Sequence, residues 1–391
     1  MAKEVNELMK VWVIDDKWTR DDAQKIMPDD TEFVVSNVND DPKIISGNSE
    51  KAWDLILVDQ NFQKDPELLS VFDGSGFVAQ LHAVARKKNL KLPPIVIITQ
   101  EPDLFANEVP AVGPNRPLNG GFIGREPQLA PVLDVEWLLA KPEADRDQEE
   151  VTKGQVYDLI SSFKAASGIV GDNGISFNET IEFLRLPSGE QWNERAISDV
   201  RRALPPISHN PDRPDNPNRG PVSLIRWLLH SALPYPGLFV SDFYVSARLG
   251  IDRESLDKIV SNPQTEWARQ LAQAAYSGPG QKLFSRRWWT AGLDLAALTV
   301  FELDRRDIQK SLSDLAGCTV SLIEVADPVV VWNEQLVESE IVEASAAVPV
   351  TPPGWPAECI KPWMLISEVK KHPWLGLMVD QADAAELGIQ L

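Results

Sequence analysis

Asp54-Leu55-Ile56-Leu57-Val58-Asp59 is the stretch that decides how the chain folds. Four apolar residues, two of them β-branched, run straight into a carboxylate. An unbroken apolar run of this length suits a strand buried on both faces, as in a parallel sheet. Such a strand delivers its last side chain to the carboxyl edge of the sheet, where open α/β folds place their ligands. Asp59 is therefore either a carboxylate placed for chemistry or an ordinary loop cap. The rest of the first 150 residues bears on that choice.

Three further runs have the same form. Val11-Trp12-Val13-Ile14 ends in Asp15-Asp16, Pro94-Ile95-Val96-Ile97-Ile98 ends in Thr99, and 135–140 ends in Lys141-Pro142. If these strands lie side by side and parallel, three carboxylates, a hydroxyl and an ammonium meet at one edge. Close carboxylates repel each other unless a cation sits among them. Oxygen ligands of this kind suit Mg²⁺, which keeps several waters and leaves positions for a phosphoryl oxygen. A Lys and a Thr can bind the remaining oxygens of a transferred phosphoryl group.

Taken in order, these marks make residues 10–166 resemble the receiver domain of two-component response regulators. The marks are the acid pair Asp15/Asp16, the strand-end Asp59, Thr99, and Lys141 followed by Pro142. Asn61 fits where that family offers a backbone carbonyl to the metal, and Asp73-Gly74 opens an apolar-periodic helix over 77–85. The resemblance implies a flavodoxin-like receiver, an α/β doubly wound parallel sheet of five strands. It implies Mg²⁺ held by Asp15, Asp16, Asp59 and Asn61, with Asp59 also the phosphorylated nucleophile. Thr99 and Lys141 would stabilise the phosphoryl oxygens. The implied partner is a histidine kinase or phosphotransfer protein. No enzymatic activity is expected beyond self-catalysed phosphoryl transfer and dephosphorylation at Asp59.

Several stretches depart from the family pattern. The loop 60–73 is long and reads as an insertion. Residues 100–134 are rich in Pro and Gly where a receiver has a compact helix, and only 125–133 could make a short one. Gln100 follows Thr99, where the family has a small residue, and would stand over the phosphoryl site. The family's switching aromatic lies three residues before its Lys, a position held here by Leu138, with Trp137 one residue earlier. Adjacent strand residues face opposite sides, so Trp137 reads as a core aromatic. The insertion 100–134 is then the expected carrier of any conformational signal.

The chain has 391 residues, enough for two or three domains. Net charge is −20, distributed as −12 over 1–150, zero over 151–320 and −8 over 321–391. An acidic chain repels nucleic acid at long range, so nucleic acid is an unlikely partner on these numbers. The two cysteines, Cys318 and Cys359, form no metal-ligand pattern and no disulfide framework, which points to a cytoplasmic setting. No apolar run is long enough to span a bilayer, and no membrane association is expected.

Beyond a helix over 147–166, three domains are expected. They are the receiver-like 1–166, a mostly helical output or interaction domain at 172–343 with minor β, and a Pro-rich linker and tail at 344–391. Helices are predicted at 177–186, 192–204, 224–233 and 265–276, and β-type runs at 319–325 and 329–332. Arg286-Arg287-Trp288-Trp289 could stack on bases but reads as a core anchor. Residues 245–260 resemble a helix-turn-helix, with Gly250 at the turn and Leu249, Leu256 and Ile259 packing the pair. Its second helix carries Asp252, Glu254 and Asp257 against Arg253 and Lys258, which is poor chemistry for a phosphate-lined groove. The expected output is therefore a protein interaction, with a DNA-binding regulator as the alternative. A haloacid-dehalogenase-type phosphatase ranks last, because Asn61 occupies the place of that family's acid/base Asp.

Overall fold

The apolar runs fold as strands. β1 (Met9–Ile14), β2 (Thr31–Ser36), β3 (Leu55–Asp59), β4 (Ile95–Thr99) and β5 (Trp137–Ala140) form one sheet in the order β2-β1-β3-β4-β5, with every pairing parallel. The computed structural model describes residues 8–37, 51–62, 73–102, 105, 125–143, 145–170, 175–203, 205 and 220–389. Every residue of β3 and β4 is buried, as unbroken apolar runs require of strands covered on both faces. The strand order reverses between β1 and β3. Their carboxyl ends therefore flank the topological switch point, where open α/β sheets bind ligands.

Helices α1 (Arg20–Ile26), α2 (Gly74–Lys88), α3 (Glu126–Leu129) and α4 (Arg146–Ile169) flank the sheet. Each long one starts on a local signal. Thr19 and Asp22 close a capping box on α1, Asp73 caps α2 by accepting from Gly76 N–H at 2.7 Å, and Asp145 caps α4. α3 continues into a 3₁₀ turn, Ala130–Leu133, so the expected short helix at 125–133 is one turn of each kind. Leu138 packs into the core cluster that includes Phe77 and Leu81 of α2 and Leu129 of α3. Trp137 is fully buried beside it and, by alternation, belongs to the other face.

The chain divides into two compact units, 1–176 with 206–230 and 177–205 with 231–391. The helix Pro221–Trp227 lies in the first unit and packs against α4. The second unit is mostly helical, with a four-stranded sheet built from Ala347–Pro349, Trp363–Leu365, Pro328–Trp332 and Glu338–Glu343 in that order. Residues 344–391, read from composition as linker and tail, supply two of those strands and a core of their own that includes Val348, Met364, Val369 and Leu375. Pro352, Pro353, Pro356 and Pro362 lie in turns and loops, Pro349 ends a strand and Pro373 opens a helix, all places where a missing N–H is tolerated. Residues 319–325, read as β-type, make only an isolated bridge between Leu322 and Ile251, since Val320 is drawn into the helical core. Among the described residues no helix is long and apolar enough to cross a membrane. Of the insertions expected at 60–73 and 100–134, residues 63–72, 103, 104 and 106–124 lie outside the described residues.

Candidate functional site

Parallel alignment brings the strand-end polar groups together. Asp15, Asp16 and Asp59 each offer a carboxylate oxygen, and these oxygens lie within 4.8 Å of one another. Lys141 Nζ sits 2.6 Å from Asp15 Oδ2 and 3.0 Å from Asp59 Oδ1, with all three side chains almost wholly buried. One ammonium thus serves two carboxylates, and a third stands beside them. Such a group is short of positive charge, which makes it receptive to a cation.

Local structure fixes each member. The other oxygen of Asp15 accepts the N–H groups of Lys17 and Trp18, both at 2.9 Å, an Asx-type turn that holds the carboxylate rigid. Trp18 then lies over Lys141, with Nζ 4.8 Å from the ring centre. The backbone carbonyl of Asp16 accepts from Asn37 Nδ2 at 3.2 Å. Burial first of all pushes the Asp59 carboxyl above the usual carboxylate range; Lys141 pulls it down, and the Asp15 charge pushes it up again. The Asn61 N–H also donates to Asp59, favouring its charged form.

Thr99 is completely buried at the end of β4, where it pairs with Ala140. Its hydroxyl accepts from the Glu101 N–H at 3.1 Å, and its carbonyl accepts from the Lys141 N–H at 2.7 Å. Asn61 Nδ2 donates to Glu101 at 2.9 Å. Gln100 is exposed. Behind Asp59, the first turn of α2 comes very close. Gly74 N–H donates to the Gln60 carbonyl at 2.9 Å, and a Cβ on Gly74 would collide with the Asp59 carbonyl oxygen. Asp15, Asp16 and Trp18 line a hollow of about 420 Å³ with Arg20, Phe33, Val34, Val35 and Asn37.

All the site residues read from the sequence therefore lie at the ends of β1, β3, β4 and β5 or in the loops that follow. Trp18, Gln60 and Glu101 were not among them. Trp18 could have been found from the Asx turn that Asp15 starts. Gln60 and Glu101 carry no pattern of their own and are placed only by the strands they follow.

In the second unit, Trp288 and Trp289 are buried, and Arg286 holds Asp242 through two hydrogen bonds of 2.9 and 3.0 Å. The core reading of that motif is the observed one. Helices Asp242–Leu249 and Arg253–Ser261 meet through Gly250 at φ 73°, and Leu249, Leu256 and Ile259 are buried between them. The cations of the second helix are engaged locally. Lys258 pairs with Glu254 at 2.8 Å, and Arg253 lies over Phe243.

No family model and no curated protein matches the chain. Among solved structures it is similar to RcsB from Salmonella enterica serovar Typhimurium, bound to promoter P1flhDC in the presence of the phosphomimetic BeF₃⁻. That likeness has 15% identity, covers 57% of this chain and 93% of the other, and has a TM-score of 0.23.

Proposed function

We propose that the first unit is a receiver-type phosphoacceptor, with Asp59 as the residue that takes the phosphoryl group. The observation that carries this reading is the charge-deficient cluster itself, three carboxylates gathered around one ammonium at the switch point of the sheet. The donor set is all oxygen, with no thiolate or imidazole, which fits Mg²⁺ held by Asp15, Asp16 and Asp59 with the Asn61 carbonyl as a further ligand. Bound there, Mg²⁺ would neutralise the acid cluster and the incoming phosphoryl charge.

Asp59 is the attacking group. As the O–P bond forms at its carboxylate, the N–P bond of a phosphohistidine breaks, and the departing imidazole keeps the electron pair and takes up a proton. Lys141, already 3.0 Å from Asp59, is positioned to follow the charge onto the phosphoryl oxygens. Thr99 presents a hydroxyl at the adjacent strand end. The second unit serves protein interaction in a cytoplasmic signalling protein. Its helix pair is closed around a buried seam, and its Arg-Trp motif is spent on internal contacts.

Two measurements test the reading. Intact mass after incubation with a small phosphodonor and Mg²⁺ is expected to rise by one phosphoryl group in wild type and not in Asp59→Ala. Beryllium fluoride is expected to bind wild type only when Mg²⁺ is present. A folded protein that does neither has the receiver shape without its chemistry.

A further inference from the structure

A helix that is apolar on every side belongs inside a protein. The second unit holds one, Thr290–Phe301, whose 12 residues carry a single charge, Asp294. One side of it is buried as expected, through Leu293, Ala296, Ala297 and Val300. The other side is not, since Leu298 is 59% exposed and Phe301 48%. Asp294, Leu298 and Phe301 follow one another at i+4 and i+3 spacing, so they share one face of the helix.

That face borders a hollow of about 760 Å³, lined by Asp294 and Phe301 among others. The lining also includes Leu238 and Val330, both buried, and Ile360, which is 45% exposed. Phe301 and Ile360 thus give the hollow an exposed apolar lip, and Leu298 continues the apolar surface outside it. Large apolar side chains left in water around an apolar floor mark a surface that something covers. Leu298 does not line the hollow, so a small molecule seated inside would leave it bare. A polypeptide segment laid across the hollow and the helix face would cover both.

The charges around the hollow select the kind of segment. Its lining holds three arginines and four carboxylates. All three arginines are held locally. Asp199 takes Arg195 at 3.1 Å and Arg202 at 3.3 Å, and Asp294 takes Arg248 at 3.6 Å, with the Arg248 guanidinium also over the Phe301 ring. The other two carboxylates, Asp327 and Glu358, are exposed and enter no ion pair among the described residues. The balance at the hollow is therefore negative, in a chain of net charge −20. Such a field draws basic segments in and turns acidic ones away.

We propose that this hollow and the adjoining face of helix Thr290–Phe301 dock a basic amphipathic segment of a partner protein. The apolar side chains of the segment enter the hollow and cover Leu298, Phe301 and Ile360. Its Lys or Arg side chains meet Asp327 and Glu358. The inference rests on the interaction role given to the second unit and is independent of phosphorylation at Asp59.

The test uses the full chain and two labelled peptides, one of leucine and lysine and one of leucine and glutamate, each with leucine at i, i+3, i+4 and i+7. Fluorescence anisotropy is expected to show binding of the lysine peptide alone, weakening as salt rises. Its affinity is expected to fall about tenfold or more when Leu298→Ser is combined with Phe301→Ser, and when Asp327→Lys is combined with Glu358→Lys. Leu377→Ser, at an exposed residue that does not line the hollow, is expected to bind as wild type does. Amide hydrogen exchange over 290–301 in wild type is expected to slow on binding, a readout that needs no variant to fold. Equal affinity in wild type and the serine double variant, or unchanged exchange over 290–301, reduces the binding to charge adsorption elsewhere and overturns the proposal. Equal binding of the two peptides overturns the basic character of the segment. A wild-type dimer that the serine double variant does not form gives the face to a second copy of the chain. That result overturns the partner segment and leaves the interaction role standing. A monomeric wild type that binds neither peptide overturns both, and the chemistry of Asp59 is untouched by any of these results.

Discussion

β5 carries a buried charge just beyond each end, and the two ends are built differently. At the amino end, Glu136 gives one carboxylate oxygen to Arg226 Nε at 2.6 Å and the other to the Ile95 N–H. Arg226 also reaches the carboxylate of Asp134 at 2.6 Å and its carbonyl at 3.0 Å. His230 Nε2 donates to the Glu136 carbonyl at 2.9 Å. Each nitrogen of Arg226 meets an acceptor, and the buried carboxylate has its own cation. At the carboxyl end, the ammonium of Lys141 is shared by Asp15 and Asp59, with the Asp16 carboxylate beside them. Burial is common to both ends, so burial does not single out the end proposed to be functional; the gathering of three carboxylates with Lys141 does.

The widest separation between the two ends should appear in stability. Arg226→Ala strands Glu136 as a buried carboxylate without its cation, a change that costs about 3–5 kcal/mol in comparable buried pairs. Asp59→Asn removes one of three crowded carboxylates and is expected to be neutral or stabilising. Urea unfolding of the two variants measures both. If Asp59→Asn destabilises as much as Arg226→Ala, the carboxyl end is a structural ion cluster and the contrast fails.

Acidification probes the amino end alone. Burial, with the Arg226 charge adding to it, lowers the His230 pKa to about 4, against 6.5 for the free imidazole. The unfolded chain therefore takes up a proton near pH 6.5 that the folded chain refuses until about pH 4. His230 is neutral in both states above that window, and its contribution to stability is lost as pH falls through it. The loss approaches roughly 3 kcal/mol at its full extent. Glu136 opposes this, since burial pushes its carboxyl up and the folded state binds that proton first. His82 and Asp134 face the same cluster. The informative quantity is the difference between wild type and His230→Gln, which is expected to shrink from pH 7.5 to pH 4.5. A difference that stays constant over that range would show that His230 takes up its proton as readily folded as unfolded.

The carboxyl end was legible in the sequence and the amino end was not. Asp15, Asp16, Asp59, Thr99 and Lys141 each close an apolar run, and a parallel sheet turns that regularity into a shared edge. Glu136 opens its strand inside the run 135–140, and nothing local pairs it with Arg226, which lies 90 residues further on. The same limit hid the folding of 344–391. Its apolar residues are spread among prolines, so composition read as linker while packing made a core.

Close approach of backbone is a further way to separate the ends. Gly74 has no counterpart near Glu136; it is there because α2 begins against the last carbonyl of β3. Gly74→Ala places a methyl group into the Asp59 carbonyl oxygen, a backbone atom that cannot rotate away. Overpacking of this kind costs about 1–3 kcal/mol. The displacement falls on the residue proposed to attack, so the phosphorylation rate of Asp59 is expected to drop further than stability does. The measurement pairs a thermal midpoint with single-turnover phosphorylation. A stability loss with an unchanged rate would mean that α2 moves and β3 does not.

The smallest change in stability is expected from Asp16→Asn, and it sharpens the comparison most. Asp15 and Asp59 hold Lys141 at 2.6 and 3.0 Å, and Asp16 is the third member of the acid cluster. The replacement keeps the shape and removes one negative charge from a group already in excess, so the unfolding free energy should move by less than about 0.5 kcal/mol. Removing a charge of the same sign from the amino end, by Glu136→Gln, leaves Arg226 without its buried partner and is expected to be far more damaging. The Mg²⁺ response should run the other way. Wild type is expected to gain thermal stability with rising Mg²⁺, as any ligand of the folded state confers, and Asp16→Asn to gain much less over the same range. Glu136→Gln, where folded, is expected to keep the full response. If Asp16→Asn responds to Mg²⁺ like wild type, the charge deficit at the carboxyl edge does not bind the cation, and the distinction between the two ends of β5 loses its functional meaning.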